Sequence, residues 1–311
     1  MPAEQAGERR IHGRTLELSN VDKVLFPDDG ITKGELIEYH ERIAEVMLPH
    51  LQGRPVAIKR LPDGLGGTSF FQKEAGSHFP DWVGTVDVPK RKGGTTAHIV
   101  VEEAATLPYL ANLGTIELHS WTSRRDDLER PDQLVFDLDP PDDRPDAARA
   151  ASHRVREVLD ELGLDTLLKT SGSKGYHVHV PLDRSADFEV ARRFAADVAR
   201  VVAGRHPDDL TDEQRKSARR GRVFVDHLRN AYGQTAVAPY SVRARPGAPV
   251  ATPIEWRELD DLDPGRYDLR NLFRRLGQRE DPWRDAWHDG HALAAARDTL
   301  SELLQQIDGG S

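Results

Sequence analysis

Apolar residues recur at helical spacing after Thr32. Leu36, Ile37, Ile43, Ala44 and Met47 share a face, and Thr32 followed by Glu35 is a capping-box signature. A helix is predicted from about Lys33 to Leu48. Pro55–Arg60 reads as a strand, Phe70-Phe71 begins another, and the basic stretch Pro89–Gly94 reads as a mobile loop before a strand at Ala97–Val101. Leu134–Asp139 is bounded by Pro131 and Pro140-Pro141 and reads as a strand. Val155, Val158, Leu159 and Leu162 mark a helix from about Pro145, which Gly163 is placed to end. Two short strands, Thr166–Lys169 and Tyr176–Pro181, follow around a Gly-rich turn. Phe188, Ala191, Phe194, Val198 and Val201 then mark a helix, and Arg222–His227 another strand. From about Asp268 the pattern is mostly helical, ending in Ala292–Ile307. Strands and helices alternate throughout, so the predicted class is α/β (mixed α+β), with sheets covered by helices. Residues 1–14 read as a flexible tail, and 258–311 as a C-terminal helical segment packed on the region before it.

Composition narrows the chemistry. The 311-residue chain has 38% hydrophobic residues, enough for a real core, and 31% charged residues, which suit a well-solvated protein. No apolar run approaches the ~20 residues of a membrane span, and the polar MPAEQAGERR start lacks a secretory h-region, so a cytoplasmic protein is expected. With no cysteine, disulfides, thiolate metal sites and cysteine nucleophiles are excluded, and any metal must sit on carboxylates, histidines or carbonyls. The net charge of −9 weighs mildly against a nucleic-acid partner. Local basic clusters such as Lys59-Arg60, Lys90-Arg91-Lys92 and Arg219-Arg220-Arg222 weigh the other way.

Strand alternation supplies the first candidate site. Leu134, Phe136 and Leu138 point one way, and Val135, Asp137 and Asp139 the other. Two carboxylates then share a face about 7 Å apart, an arrangement that a Mg²⁺ or Mn²⁺ pair would relieve. A strand running into an Asp-Pro turn is the plainer alternative. Asp226, after Phe224-Val225, is a third carboxylate that could complete a two-metal set.

A second pattern suits phosphate. In Thr170–His177 the glycines Gly172 and Gly175 let backbone N–H groups turn toward an anion, while Ser171 and Lys174 add a hydroxyl and a charge. His177 and His179 share a face of the next strand. The spacing is not that of a Walker A loop, and an ordinary hairpin turn remains possible. Arg243, His119 and Phe71 are individually ambiguous. Lys33, on the first turn of the capped helix, could join Asn20 and Lys23 in a separate anion site.

The ordered set of segments resembles the polymerase domain of bacterial ATP-dependent DNA ligase D, within the archaeo-eukaryotic primase superfamily. The segments are Leu18–Pro27, Gly30–Lys33, Phe70–Lys73, Glu117–His119, Leu134–Asp139, Thr170–His177, Val223–Asp226 and Ala238–Arg243. The resemblance spans about residues 15–257 and implies a primase-type catalytic core, with β-sheets forming a cleft flanked by helices. It implies that Asp137, Asp139 and Asp226 are the catalytic metal ligands for two ions, Mn²⁺ or Mg²⁺. It also implies that Ser171, Gly172, Lys174, Gly175, His177, Arg243 and Lys59 grip the incoming triphosphate. By the same resemblance His119 contacts the sugar, Phe71 stacks on a base, and Asn20, Lys23 and Lys33 take a DNA 5′-phosphate. The loop around Lys90–Gly94 would contact DNA. Gln234 stands where relatives commonly carry a basic residue.

The implied activity is addition of nucleotides, ribonucleotides preferred, to a primer 3′-hydroxyl at gapped or broken duplexes, with end-joining or ligase proteins as partners. A non-catalytic 5′-phosphate DNA-end-binding module and a metal-dependent nuclease are the rival readings. Primer lengthening, strand shortening or neither separates the three. De novo priming would show as extension without a primer.

Overall fold

The capping box forms as the sequence requires. Thr32 Oγ1 accepts from Glu35 N at 3.2 Å, and Glu35 Oε2 accepts from the Thr32 N–H at 2.9 Å. They start a helix over Lys33–Leu51 whose Leu36, Ile37, Ile43, Ala44, Met47 and Leu51 are buried. Full burial of each large apolar side chain contributes roughly 1.5–3 kcal/mol.

The computed structural model describes residues 7–90, 93–141, 144 and 146–309. These pack as two compact units. One comprises residues 7–121, Val237–Ala251 and Tyr267–Glu280; the other comprises Thr122–Ala236, Thr252–Arg266 and residues 281–309. Sequence boundaries after 14 and 257 miss this interleaving. Among the described residues no helix is long and apolar enough to cross a membrane.

In the first unit a sheet runs in the order Thr115–Trp121, Pro55–Arg60, Thr95–Val100, Gly84–Pro89, and Phe70–Gln72 also pairs with Pro55–Arg60. The Lys33–Leu51 and Thr106–Asn112 helices contribute to the same core as this sheet. In the second unit the order is Leu210–Thr211, Val223–Asp226, Gln133–Asp139, Tyr176–Pro181, Leu167–Thr170, Pro253–Ile254. Helices Ala147–Glu161, Phe188–Arg205 and Leu293–Gly309 belong to this unit. Gly163 ends the first of them with φ 69°, as expected of an αL cap.

Two expectations change. Gly7–Ile11 is a strand paired with Arg14–Leu18, where a tail was expected. Its only buried side chain is Ile11, so no apolar alternation announces it. His12 and Gly13, with φ 45° and 82°, make the turn, as a tight hairpin demands. The C-terminal stretch is less helical than its pattern suggests, because only Leu272–Leu276 precedes Leu293–Gly309 as α-helix after Asp268. Pro282 and Gly290 interrupt the stretch; a Cβ at Gly290 would collide with the Leu182 backbone. In the basic loop, Lys90 and Gly94 close the turn through a Lys90 N–H to Gly94 O bond of 2.9 Å. Arg91 and Lys92 lie outside the described residues, as do residues 1–6 of the expected tail and Pro145 at the predicted helix start.

Candidate active site

Strand register assembles the carboxylates. Gln133–Asp139 lies between two antiparallel neighbours, and Asp137 pairs with His177 on one side and Asp226 on the other. Paired residues of adjacent strands share a face. A row His177–Asp137–Asp226 therefore crosses three strands, with Asp139 two positions further along the same face. Next to His177 in this row stands Lys169, which is fully buried.

The electrostatics are strained toward a cation. Burial raises the Asp226 carboxyl above its ordinary value; the Leu228 N–H opposes that shift, and the Asp137 charge adds to it. His177 Nε2 lies 3.3 Å from Asp137 Oδ1. Arg229, on the 3-10 turn Leu228–Asn230, places nitrogens 3.9 Å from both Asp137 Oδ2 and Asp226 Oδ2. Among the described residues no three carboxylate or imidazole groups already cage an ion.

The Ser171–Gly175 loop sits at the start of the His177 strand. Ser171 is buried, and its Oγ accepts from Ser173 N at 3.2 Å and Gly175 N at 3.1 Å. Gly172, with φ 63°, makes the turn. Gly175 also meets a packing need. A Cβ there would collide with the Leu138 carbonyl oxygen and come within 2.7 Å of Asp139 Oδ1, so its bareness lets the loop lie against the aspartate strand. Lys174 is exposed.

The first unit carries its own polar row. Phe71, Lys59 and Glu117 are register partners across three strands, and His119 follows Glu117 on the same face. Phe71 is 57% exposed, unlike a core phenylalanine, and meets the His119 ring edge-on at 5.3 Å. Glu117 is 3% exposed. Its Oε1 accepts from Lys59 Nζ at 3.3 Å and Ala244 N at 3.0 Å. Its Oε2 accepts from His119 Nε2 at 2.8 Å and faces Arg243 Nε at 3.3 Å. Burial opposes ionisation of Glu117, but the His119 hydrogen bond and the Arg243 charge hold its carboxyl far below the usual range. Tyr240, buried with φ 64°, shapes the turn that delivers Arg243. Its carbonyl accepts from Tyr39 Oη at 2.7 Å, which helps hold this uncommon backbone.

Asn20, Lys23 and Lys33 also come together in this unit. Asn20 adopts φ 50°, and its carbonyl accepts from Lys23 N at 3.0 Å. Lys33 Nζ donates to Ser19 O at 2.5 Å, and Lys23 Nζ to Asp63 Oδ1 at 2.7 Å. The expected attraction through unpartnered helix N–H groups is not what the structure offers. Lys33 N donates to Lys23 O and Gly34 N to Val21 O, both at 2.8 Å, and Glu35 N to Thr32. An anion would meet side chains here.

Comparison with known proteins decides the family. The LigD primase-polymerase domain profile matches residues 32–283. The chain belongs to this family. It is a nucleotidyltransferase of the primase-polymerase type, and polymerases of the family depend on metal ions. It is 37% identical over 295 residues to the multifunctional non-homologous end joining protein LigD of Pseudomonas aeruginosa, covering 94% of this chain and 35% of that protein. The bifunctional LigD of Bacillus subtilis is 30% identical over 296 residues, covering 94% and 46%. The chain thus spans less than half the length of these relatives. Its fold matches the polymerase domain of Mycobacterium tuberculosis ligase D in complex with DNA, with TM-score 0.81, 34% identity, and coverage of 89% of this chain and 99% of that one.

Sequence reasoning missed Arg229, which has no motif of its own and acts through its position three residues after Asp226. Glu117 was noticed only as part of a motif, because one acid on a strand does not reveal its partners.

Proposed function

We propose that the chain extends a primer 3′-hydroxyl at gaps or breaks in DNA whose far side carries a 5′-phosphate, with ribonucleotides preferred, in cytoplasmic end-joining repair. The observation that carries this reading is the register that places Asp137 opposite Asp226, with Asp139 on the same face, in a member of a polymerase family. Asp137, Asp139 and Asp226 would hold the ions. When bound, Mn²⁺ or Mg²⁺ supplies positive charge for the attacking hydroxyl and the triphosphate.

The chain's own groups do the rest. Asp137 orients the His177 ring from 3.3 Å, and the Ser171 hydroxyl fixes the loop that bears Lys174. Lys174, His177, Lys59 and Arg243 spread positive charge over the phosphates, where fixed cations stabilise transferring charge. His119 addresses the sugar, and the exposed Phe71 ring offers a face for a base. Ligase or end-joining proteins are the expected partners. Primer extension on a gapped duplex, with and without the 5′-phosphate and with ribonucleotides against deoxyribonucleotides, tests the reading. Strand shortening, or binding with no synthesis, would overturn it.

The 5′-phosphate pocket has its own pH signature. Burial, helped by the Lys23 charge, pushes Lys33 down to about 8. Phosphate favours the charged ammonium, which is lost as pH rises through that value. Affinity for 5′-phosphorylated DNA is therefore expected to fall by about tenfold between roughly pH 7 and 9.5, the worth of one charge-assisted contact. Fluorescence anisotropy against 5′-hydroxyl DNA checks this; equal pH dependence for both would remove Lys33 from the pocket.

A further inference from the structure

We infer that Glu117 is a positioning residue, holding Lys59, His119 and Arg243 in the array that meets the nucleotide without touching the nucleotide itself. The inference rests on the proposed role of those three residues. It is carried by what surrounds one buried carboxylate: Lys59 Nζ and Ala244 N donate to Oε1, His119 Nε2 donates to Oε2, and the Arg243 guanidinium forms an ion pair with Oε2.

Lys59 and Arg243 repel each other and, unrestrained, would swing toward solvent. An anion beneath them balances that repulsion and fixes both before a triphosphate arrives, so no binding energy is lost in gathering them. The same carboxylate settles the His119 ring. An ionised carboxylate only accepts, so Nε2 must carry the proton, and in the neutral ring Nδ1 is then an acceptor suited to a hydroxyl. Glu117 is not itself a metal ligand, because cations and N–H groups already engage both its oxygens. Nor does stability explain it well, since a buried ion pair adds little that apolar packing would not. The arrangement also dictates the informative substitution. Three neighbours donate to the carboxylate and the Arg243 guanidinium lies beside it, so a glutamine amide, whichever way it is turned, points its NH₂ group at donor nitrogens.

The test uses steady-state primer extension by the full chain, with Glu117→Gln, Glu117→Asp, Lys59→Ala and Arg243→Ala. Glu117→Gln is expected to raise the nucleotide KM about tenfold or more, as loss of charge-assisted bonds would. Its kcat should change less than about threefold, because the ion-holding groups are untouched. Glu117→Asp keeps the charge and should restore part of the KM, and it decides the matter if the glutamine variant does not fold. Wild-type KM in the folded Glu117 variants, with KM raised in Lys59→Ala and Arg243→Ala, overturns the inference and leaves the proposed function standing. Unchanged KM in all four overturns the nucleotide-site reading as well.

Discussion

Asp137→Ala is expected to lower primer extension by roughly 10³-fold or more, because an ion that neutralises a transferring phosphoryl group contributes several kcal/mol to the transition state. The loss should fall on kcat and persist at saturating Mn²⁺. Binding to 5′-phosphorylated DNA should stay within about twofold, since Asn20, Lys23 and Lys33 belong to the other unit and share no partner with Asp137 among the contacts described. Thermal stability provides a second readout. Burial, with the Asp137 charge adding to it, raises the Asp226 carboxyl, so the alanine variant sheds a like-charge repulsion as it loses the His177 and Arg229 contacts, and its melting temperature should change little. A large drop in melting temperature would mean that Asp137 holds the sheet together. Undiminished extension would remove it from the reaction.

Gly175→Ala should have a large effect on stability for a single carbon added. The new Cβ would meet the Leu138 carbonyl oxygen, part of a strand paired on both sides, so neither partner can move aside without breaking sheet pairing. Overpacking against backbone of this kind costs about 3 kcal/mol or more, or a melting temperature lower by roughly 5–10 °C. Extension should fall further than the folded fraction does, because Asp139 would be displaced as well. Gly172→Ala, strained by its φ of 63°, is the milder control at about 1–2 kcal/mol. Calorimetry ranks the two, and equal melting temperatures would contradict the close approach of Gly175.

How much the sequence disclosed depended on whether the relevant period was local. Asp137 and Asp139 could be placed together because alternation within one strand is a property of consecutive residues. Asp226 could not, since its place opposite Asp137 depends on how strands far apart in the chain pair. Glu117 and Arg229 have the same difficulty: their partners, Arg243 for one and Asp137 for the other, are remote in sequence. The Lys33–Leu51 helix was legible because cap and stripe agreed. Gly7–Ile11 was not, because its backbone, rather than a hydrophobic face, makes the pairing. Among the glycines, the conformational need of Gly172 could be read, whereas that of Gly175 depends on a carbonyl 37 positions away in the chain.

The pairing of Asp137 with Asp226 also bears on which insertions and deletions the chain can accept. One residue added within Val223–Asp226 would turn Asp226 toward the core and bring an apolar neighbour out in its place, so such changes should be all or none in their effect. Residues 212–222, mostly exposed and outside that ladder, can change length while the strand re-forms in the same frame. Natural variation in length should therefore gather in that stretch and stop abruptly at Val223.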